Sequence, residues 1–316
     1  ESIPKLQTIL YRLEGFELRD QSARSYPAHA GAHILGYIRE ADRKKIDKDP
    51  YYRPGDLVGI SGLELYYEEL LRGQRGKSYV LKDAYGNFKE VVSTDSASAG
   101  QNITTTIDKK LQLYGEELMQ NKIGSIVAIE PSTGEILTLV SSPTFNPNTL
   151  TGRARSKNFK QLLENENKPL FNRALLGQYA PGSIFKLING LIALQEKTLR
   201  IYSNFNCVGE YEYGNDKMVR CHEHTSPIRL KKAIAISCNS YFCNVFQIFF
   251  DKYQNTEIAF NTWKDHIASF GVGQWMNNDF SSGKKGFLPK TEFYDNIYGK
   301  THWNASTILS LSIGQG

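Results

Sequence analysis

The uncharged stretch from Ala233 to Phe250 constrains this chain more than any other feature. A run of this length forms either a membrane span or a helix buried in protein. Five polar side chains interrupt it, namely Ser237, Asn239, Ser240, Asn244 and Gln247. Because polar groups are costly in apolar surroundings unless they find partners, we predict a buried helix whose polar side chains converge on a site.

The composition is that of an ordinary globular protein. Of 316 residues, 40% are hydrophobic and 22% are charged, which excludes disordered, collagen-like and coiled-coil chains. The length predicts about two domains. The net charge of +5 is spread without a basic run, so we expect no nucleic-acid partner. Residues 1–5 lack a signal-peptide pattern, and we expect any anchor to lie upstream or to have been removed.

The small, polar stretch from Ser93 to Gly100 has neither helical nor strand periodicity, which is typical of a linker. It predicts a non-catalytic domain over residues 1–97 and a second domain over residues 98–316. The first domain is rich in tyrosine, glycine and charge. We expect it to be irregular, with helices over 3–18 and Leu63–Leu71.

The second domain combines strand and helix patterns. Two β-rich runs, Ser125–Glu130 and Glu135–Val140, flank a Pro-Ser-Thr-Gly turn and predict an antiparallel hairpin. Residues 103–107 predict a strand, and Leu111–Met119 predicts a helix with Asp108 as its N-cap. Strands and helices in separate blocks indicate an α+β fold.

A Ser-x-x-Lys pair marks the start of an apolar helix. Ser183 precedes the run Leu187–Leu194, which is apolar nearly all round and is therefore predicted to be central. Lys186 lies one turn beyond Ser183, and the helix N-terminus points free N–H groups toward the serine. Burial would lower the pKa of this lysine, so that a neutral amine could accept the serine proton. The alternative is that Ser183 caps the helix and Lys186 reaches outward to solvent.

A second motif, Ser237-Cys238-Asn239, lies in the uncharged stretch. Two polar side chains two positions apart can face one cleft from a loop. A Ser-x-x-Lys motif followed by Ser-x-Asn, in this order, is typical of enzymes that form a penicilloyl-serine intermediate.

With these motifs the chain resembles the class B penicillin-binding proteins, and most closely their elongation-type transpeptidases, over nearly its whole length. Further matching runs are Ala32–Ile38, Gly55–Glu64, Thr106–Asp108, Thr133–Glu135, Asn172–Ala174 and Ser312–Gly316. The resemblance implies an irregular N-terminal pedestal followed by a transpeptidase domain, in which helices flank an antiparallel sheet.

The resemblance also implies the roles of four residues. Ser183 would be the acylated nucleophile, Lys186 its general base, and Ser237 and Asn239 the groups that pass protons and hold the substrate amide. The substrate would be a peptidoglycan stem peptide ending in D-Ala-D-Ala, supplied on a lipid-linked precursor, and β-lactams would acylate the same serine. Implied partners are a membrane glycosyltransferase and cell-shape scaffold proteins. The implied location is the periplasmic face of the inner membrane, with an N-terminal anchor helix outside this sequence.

Two other kinds of function stay open. A serine β-lactamase or D,D-carboxypeptidase would resolve the acyl-enzyme with water, although the sequence shows no obvious deacylating carboxylate. A non-enzymatic sensor or scaffold would bind β-lactams or partner proteins without turnover.

The third motif of the resembled family is missing, since no Lys-Thr-Gly or Lys-Ser-Gly triplet occurs in the sequence. Lys284-Lys285-Gly286 lacks the central hydroxyl and precedes Gly314-Gln315-Gly316, so we predict a surface loop there. We expect the chain to stop before the strand that carries the third motif. That strand normally supplies an oxyanion-hole N–H, so we also expect the chain as written to be poorly active.

Cys207, Cys221, His224 and Cys238 are four ligands of the kind that form a closed tetrahedral zinc site. Some members of the resembled family carry zinc in this region, with a ligand at the middle position of Ser-x-Asn. Cys238 occupies that position here. Zinc would then be structural, because it would hold the loop that bears the Ser-x-Asn motif.

The spacing of these residues leaves alternatives to zinc. A Cys207–Cys221 disulfide suits an oxidising periplasm and would leave Cys238 merely buried. The thiols could also be free, or His222 could replace His224 as a ligand.

Two further groups are not predicted to bind metal. Cys243 has apolar neighbours and no spacing partner, so we predict that it packs in the core. His29 and His33 lie four positions apart, but nearby glycine and proline argue against a helix, and no third ligand is evident.

Overall fold

The chain divides into two compact units, residues 1–176 with 279–282 and residues 177–278 with 283–316. The computed structural model describes residues 24–27, 30–214, 217–275, 278–280, 282–300 and 302–315, so the predicted helix over 3–18 and His29 lie outside the described residues. The domain boundary predicted after residue 97 falls within the first unit and stays a prediction. None of the described helices is long and apolar enough to cross a membrane.

The first unit consists of short helices and antiparallel strand pairs. Its helices are Ala32–Leu35 (α1), Arg43–Lys48 (α2), Gly62–Tyr66 (α3), Glu68–Leu71 (α4), Lys109–Leu118 (α5), Arg155–Glu164 (α6) and Arg173–Leu176 (α7), with a 3-10 turn at Pro147–Leu150. Its strands are Ile38–Glu40 (β1), Leu57–Gly59 (β2), Lys77–Lys82 (β3), Phe88–Asp95 (β4), Gly124–Ile129 (β5) and Ile136–Ser142 (β6). β1 pairs with β2, β3 with β4, and β5 with β6.

The hairpin predicted after residue 124 is confirmed as β5 and β6, in which Val127 faces Leu139. The predicted N-cap of α5 is confirmed too. Asp108 accepts hydrogen bonds from the backbone N–H groups of Lys110 and Leu111, at 2.8 and 2.9 Å. Both features follow from local turn and cap chemistry, which is why the sequence predicts them.

The strand predicted over residues 103–107 is wrong. Within this segment the Thr106 hydroxyl bonds to the Ile136 carbonyl of β6, and a backbone bond to β6 comes only from the next residue, Asp108, to the Leu137 carbonyl, so no backbone ladder forms. The helix predicted over Leu63–Leu71 is broken into α3 and α4 at Tyr67. The β3–β4 hairpin is not predicted by the sequence, because all its residues are exposed and burial imposes no alternation.

The second unit is mainly helical. Its helices are Phe185–Gln195 (α8), Leu230–Ala235 (α9), Asn239–Asp251 (α10), Thr256–Ser269 (α11) and Thr291–Tyr298 (α12), with 3-10 turns at Gly182–Ile184 and Leu309–Ile313. Its strands are Asn204–Phe205 (β7), Glu210–Tyr213 (β8), Lys217–Arg220 (β9) and Ile228–Arg229 (β10), paired antiparallel as β7 with β10 and β8 with β9. Helices with small antiparallel sheets confirm the predicted α+β class.

The core of the second unit is aromatic. Phe246 on α10 and Phe260 on α11 pack against Trp263, with ring centroids 6.0 and 5.7 Å from that of the tryptophan. α8 buries Ile192 in this unit, but Leu191 is 54% exposed. The prediction that this helix is central is therefore wrong for its outer face: the apolar run continues onto a side that no described residue covers.

The uncharged stretch is buried as predicted over α10, but it is not a single helix. Residues 236–238 separate α9 from α10, and Ser237 adopts a left-handed conformation with φ 54°. The N–H of Cys238 donates a hydrogen bond back to the carbonyl of Ala233 and so ends α9. Ser237 takes the left-handed position that glycine usually occupies at the end of a helix. Cys238 then caps α10, because its Sγ accepts a hydrogen bond from the Tyr241 N–H.

Candidate active site

Ser183 lies where the 3-10 turn Gly182–Ile184 enters α8. The serine is exposed, and the preceding Gly182 has φ 62°, a left-handed conformation that glycine adopts without strain. The first N–H groups of a helix lack intrahelical partners and carry partial positive charge. An accessible hydroxyl at this position is suited to attack a carbonyl whose oxygen becomes negative.

The side chain of Lys186 brings together the two predicted motifs. Lys186 is 2% exposed. Its Nζ donates hydrogen bonds to the Ser237 carbonyl at 2.7 Å, to the Ser237 Oγ at 3.0 Å and to the Asn239 Oδ1 at 2.6 Å. The reading in which this lysine reaches out to solvent therefore does not hold. None of the three bonds goes to Ser183, one turn earlier on the same helix.

The buried amine of Lys186 is easier to deprotonate than an exposed one. Burial lowers the pKa of Lys186, while the nearby thiols of Cys221, Cys238 and Cys243 act in the opposite direction and raise it when ionised. The net shift is downward. A lysine in this state can exchange a proton with a neighbouring hydroxyl at a pH where an exposed lysine stays charged.

The loop that carries Ser237 and Asn239 is strained and held by polar contacts. A left-handed conformation at a residue other than glycine costs on the order of 1–3 kcal/mol. At Ser237 it directs both the carbonyl and the hydroxyl to Lys186. The Asn239 side chain is fixed at its other end, since its Nδ2 donates to the Arg220 carbonyl at 2.8 Å. The backbone N–H of Asn239 donates to the Sγ of Cys221 at 3.3 Å.

The structure gathers Cys207, Cys221, His224 and Cys238 into one cluster, whose ligand atoms all lie within 4.8 Å of one another. The Cys221 and Cys238 sulfurs are 3.7 Å apart, and the His224 Nε2 is 3.7 Å from the Cys221 Sγ. Zn–S bonds of about 2.3 Å in a tetrahedron place two sulfurs about 3.8 Å apart. The His224 Nδ1 faces the Thr225 carbonyl at 2.9 Å, which leaves Nε2 as the ligating atom.

Cys221 is the thiol best prepared to lose its proton. Burial alone would raise its pKa, but the backbone N–H groups of Ser240 and Asn239, together with the side chains of His224 and Cys238, lower the pKa to about 6. Burial raises the pKa of Cys238 to about 12. A cation among these four side chains would reverse that second effect.

Several other residues considered from the sequence are not members of this cluster. His222 contacts the Ile236 carbonyl instead, and all four cysteines are unbridged. Cys243 is fully buried, and its Sγ lies 3.5 Å from the Ser312 Oγ. In the first unit His33 packs its ring against Phe145, and burial lowers its pKa to about 4. The predicted loop at Lys284–Gly286 is exposed and irregular.

Asn189, a buried polar residue of α8, is not among the predicted site residues, although it makes hydrogen bonds through both ends of its amide. A usable signal was present. An asparagine one turn beyond Lys186, inside an apolar helical run, is unfavourable for helix formation and calls for partners elsewhere in the fold.

Comparison with protein families gives two matches. The penicillin binding protein transpeptidase domain matches residues 124–316, and the penicillin-binding protein dimerisation domain matches residues 1–105. Among curated proteins, the peptidoglycan D,D-transpeptidase MrdA of Acinetobacter baumannii is 32% identical over 100% of this chain and 46% of its own length. The chain thus spans about half the length of this relative.

Solved structures with the same fold cover the whole chain. The complex between penicillin-binding protein PBP2 and MreC from Helicobacter pylori aligns with a TM-score of 0.86 at 24% identity, over 100% of this chain and 57% of that one, and it shows the fold alone. A peptidoglycan synthase complex described as coordinating polymerization and crosslinking aligns with a TM-score of 0.79 at 27% identity, over 100% of this chain and 56% of that one.

Proposed function

The chain belongs to the penicillin-binding proteins that carry a transpeptidase domain, and from this we propose that the protein is a peptidoglycan D,D-transpeptidase that works through an acyl-enzyme at Ser183. One observation carries the proposal: the buried Lys186 amine contacts both Ser237 and Asn239 while sharing a helix with an exposed serine. The name of the Acinetobacter baumannii relative supports the same activity.

The residues around Ser183 suit acyl transfer in two steps. In the first, the Ser183 oxygen attacks the carbonyl between two D-alanines and its proton passes to the neutral Lys186 amine. The C–N bond breaks, and the departing D-alanine takes a proton that the Ser237 hydroxyl relays from Lys186. In the second step, an amine of a neighbouring stem peptide attacks the ester carbonyl, the C–O bond to Ser183 breaks, and the proton that the amine loses passes through Lys186. Ser183 then regains its proton.

Asn239 and the helix N-terminus position the substrate in this scheme. The Asn239 side chain is already held between Lys186 and the Arg220 carbonyl, so it offers a rigid amide beside the reacting bond. The free N–H groups of the first turn at Ser183 favour the negative charge that develops on the carbonyl oxygen. β-Lactams mimic the same peptide bond and would acylate the same serine.

Zinc at Cys207, Cys221, His224 and Cys238 is the second part of the proposal. Its support is the clustering of the four ligand atoms and the low pKa of Cys221. These four side chains would hold the zinc, which would tie Cys238 to Cys207, Cys221 and His224 and so fix the strained loop between α9 and α10. The cluster has no part in bond breaking.

The proposed partners and location follow from the substrate. Stem peptides are cross-linked outside the cytoplasmic membrane, so the protein would work at the periplasmic face of the inner membrane, anchored there by a helix. The similarity to a synthase complex of polymerization and crosslinking supports a membrane glycosyltransferase as a partner. Cell-shape scaffold proteins stay an expectation from family resemblance.

Cross-linking by the full-length protein tests the proposal. The protein is incubated with lipid-linked precursor and a glycosyltransferase, and the digested product is analysed for cross-linked peptides, with Ser183→Ala as the matched control. We expect cross-links from the wild type and none from the control. Release of D-alanine without cross-links would indicate a carboxypeptidase. Rapid hydrolysis of penicillin would indicate a β-lactamase. A protein with neither activity would be a scaffold.

A further inference from the structure

Asn189 is a buried polar residue of the second unit that the proposed mechanism leaves unused. It is 4% exposed and lies one turn beyond Lys186 on α8. Its Nδ2 donates to the carbonyls of Leu311 and Ser312, at 3.1 and 3.0 Å, and its Oδ1 accepts from the Trp263 indole N–H at 2.8 Å. One amide therefore binds α8 to α11 and to the 3-10 turn Leu309–Ile313.

That 3-10 turn ends directly against the residue before the nucleophile. Gly314 terminates the turn, and its carbonyl accepts a hydrogen bond from the Gly182 N–H at 2.8 Å. A Cβ on Gly314 would lie 2.3 Å from the Gly182 carbonyl oxygen, so the contact is backbone on backbone and leaves no room for a side chain. Any shift of the turn is passed directly to Gly182 and from there to Ser183.

Apolar packing of Leu309, Leu311 and Ile313 in the core also holds the turn, but Asn189 supplies the side-chain hydrogen bonds to the carbonyls at its end. Ser312 is fully buried, and its side chain is tethered only by the Cys243 Sγ at 3.5 Å, a weak partner. Without Asn189, the Ser312 carbonyl would lose the donor that Asn189 provides, and the Leu311 carbonyl would keep the N–H of Gly314 at 3.2 Å. A buried carbonyl without a donor drives a rearrangement that restores a hydrogen bond.

We propose that Asn189 is a positioning residue for acylation: by holding the carbonyls of Leu311 and Ser312 it keeps Gly314 against Gly182 and so fixes the direction from which Ser183 attacks. Asn189 touches neither substrate nor the reacting atoms. The inference rests on the proposed function, because it assigns Asn189 to the acylation of Ser183. It differs from a purely structural role in predicting that the chemical step suffers more than substrate binding.

The test uses the full-length protein, with Asn189→Leu and Asn189→Asp compared with Ile267→Ala. Asn189→Leu removes all three hydrogen bonds at similar volume, and Asn189→Asp keeps an acceptor for Trp263 but loses both donated bonds. Ile267 is fully buried in the core cluster that contains Trp263, so its truncation controls for lost stability. If Asn189→Leu fails to fold, Asn189→Ser takes its place.

Two readouts are measured on each variant. The first is acylation by benzylpenicillin, separated into the dissociation constant of the initial complex and the rate constant of acylation. We expect both Asn189 variants to lower the rate constant at least tenfold and to change the dissociation constant less than twofold. The second is hydrogen exchange at the Gly182 amide, whose protection we expect to fall tenfold in the Asn189 variants alone.

The outcomes separate the two proposals. Wild-type protein without an adduct at Ser183 would contradict the proposed function. In that case, the protection of the Gly182 amide in the Asn189 variants would still show whether Asn189 holds the turn in place. Wild-type acylation that Asn189→Leu and Asn189→Asp leave within twofold would overturn the positioning role, as would unchanged protection of Gly182. An equal loss of the acylation rate in Ile267→Ala would also overturn it.

Discussion

The two sides of the candidate site are held in place by different kinds of interaction. The Ser183 side is the start of a continuous helix, fixed by apolar packing and by backbone contact with Gly314. The opposite side is a short break between α9 and α10, where Ser237 is strained and the neighbouring groups are thiols and amides. Packing stabilises the first side whatever the state of the thiols, and we call it the rigid side. We expect the second side to depend on whether its thiols are free, bridged or bound to metal, and we call it the conditional side.

This difference separates what each side contributes to function. Lys186 belongs to the rigid side but makes all three of its hydrogen bonds to the conditional one. A change in either side should therefore change the hydrogen bonds of Lys186. Loss of the thiol cluster should weaken catalysis through the loop at Ser237, and leave the helix that carries Ser183 folded.

Removing Lys186 should have the largest effect, since it removes the amine that hydrogen-bonds both Ser237 and Asn239 from the helix that follows Ser183. We expect Lys186→Ala to slow acylation by benzylpenicillin by about 10³-fold, within the range that general base catalysis contributes. The rate is measured by quenched-flow and intact mass. Lys231→Ala, an exposed lysine on α9, is the matched control. A Lys186→Ala rate within tenfold of the wild type would show that the base lies elsewhere.

Removing a thiol should affect the conditional side alone. We expect Cys221→Ser to lose bound zinc and to slow acylation by about 10- to 100-fold, the range seen when support around a metal is lost. Elemental analysis of the purified protein should find one zinc per chain in the wild type and in Cys243→Ser, and none in Cys221→Ser. Metal-free wild type with a Cys207–Cys221 disulfide, detected by peptide mapping, would contradict the zinc site and favour the disulfide.

A substitution at the C-terminal end of α8 should have a smaller effect, on the stability of the fold. Glu196 accepts hydrogen bonds from Lys252 at 2.6 Å, from His266 at 2.8 Å and from the Tyr253 hydroxyl at 2.9 Å. The bonds from Lys252 and His266 lower the pKa of Glu196 to about 2. A carboxyl with a lowered pKa stabilises the fold above its ordinary pKa, and the stabilisation is lost as the pH falls toward 2.

We therefore expect Glu196→Gln to reduce the free energy of unfolding by about 1–2 kcal/mol at pH 7, the scale of a charged hydrogen bond. The difference from the wild type should shrink as the pH falls below about 4.5. Urea unfolding at several pH values measures it, with the exposed Glu212→Gln as control. A difference that grows toward low pH would refute the assignment.

The sequence predicts the rigid side better than the conditional one because its determinants are local. The spacing of Ser183 and Lys186 places both on one helix face, and the Asp108 cap and the β5–β6 hairpin depend on neighbours in the chain. The sequence places the Ser-x-Asn motif on a loop, but the left-handed conformation of Ser237 is not predicted, because serine seldom adopts it and its contacts with Lys186 are distant in sequence.

Long-range contacts also explain the remaining differences. The sequence identifies Cys207, Cys221, His224 and Cys238 as a possible ligand set, but only the fold brings their ligand atoms within 4.8 Å. The role of Asn189 is not predicted from the sequence, because its partners Leu311 and Ser312 lie far along the chain. The strand predicted over residues 103–107 fails because its β-branched residues, Ile-Thr-Thr-Thr-Ile, form no backbone pairing with a neighbouring strand.

The most direct test of the account is acylation of Ser183 itself. The full-length protein is incubated with benzylpenicillin, its intact mass is measured over time, and the modified peptide is sequenced, with Ser183→Ala treated in parallel. We predict one persistent adduct, located on Ser183 and absent from the Ser183→Ala protein. A folded wild type that forms no adduct, or an adduct that remains in Ser183→Ala, would contradict the account.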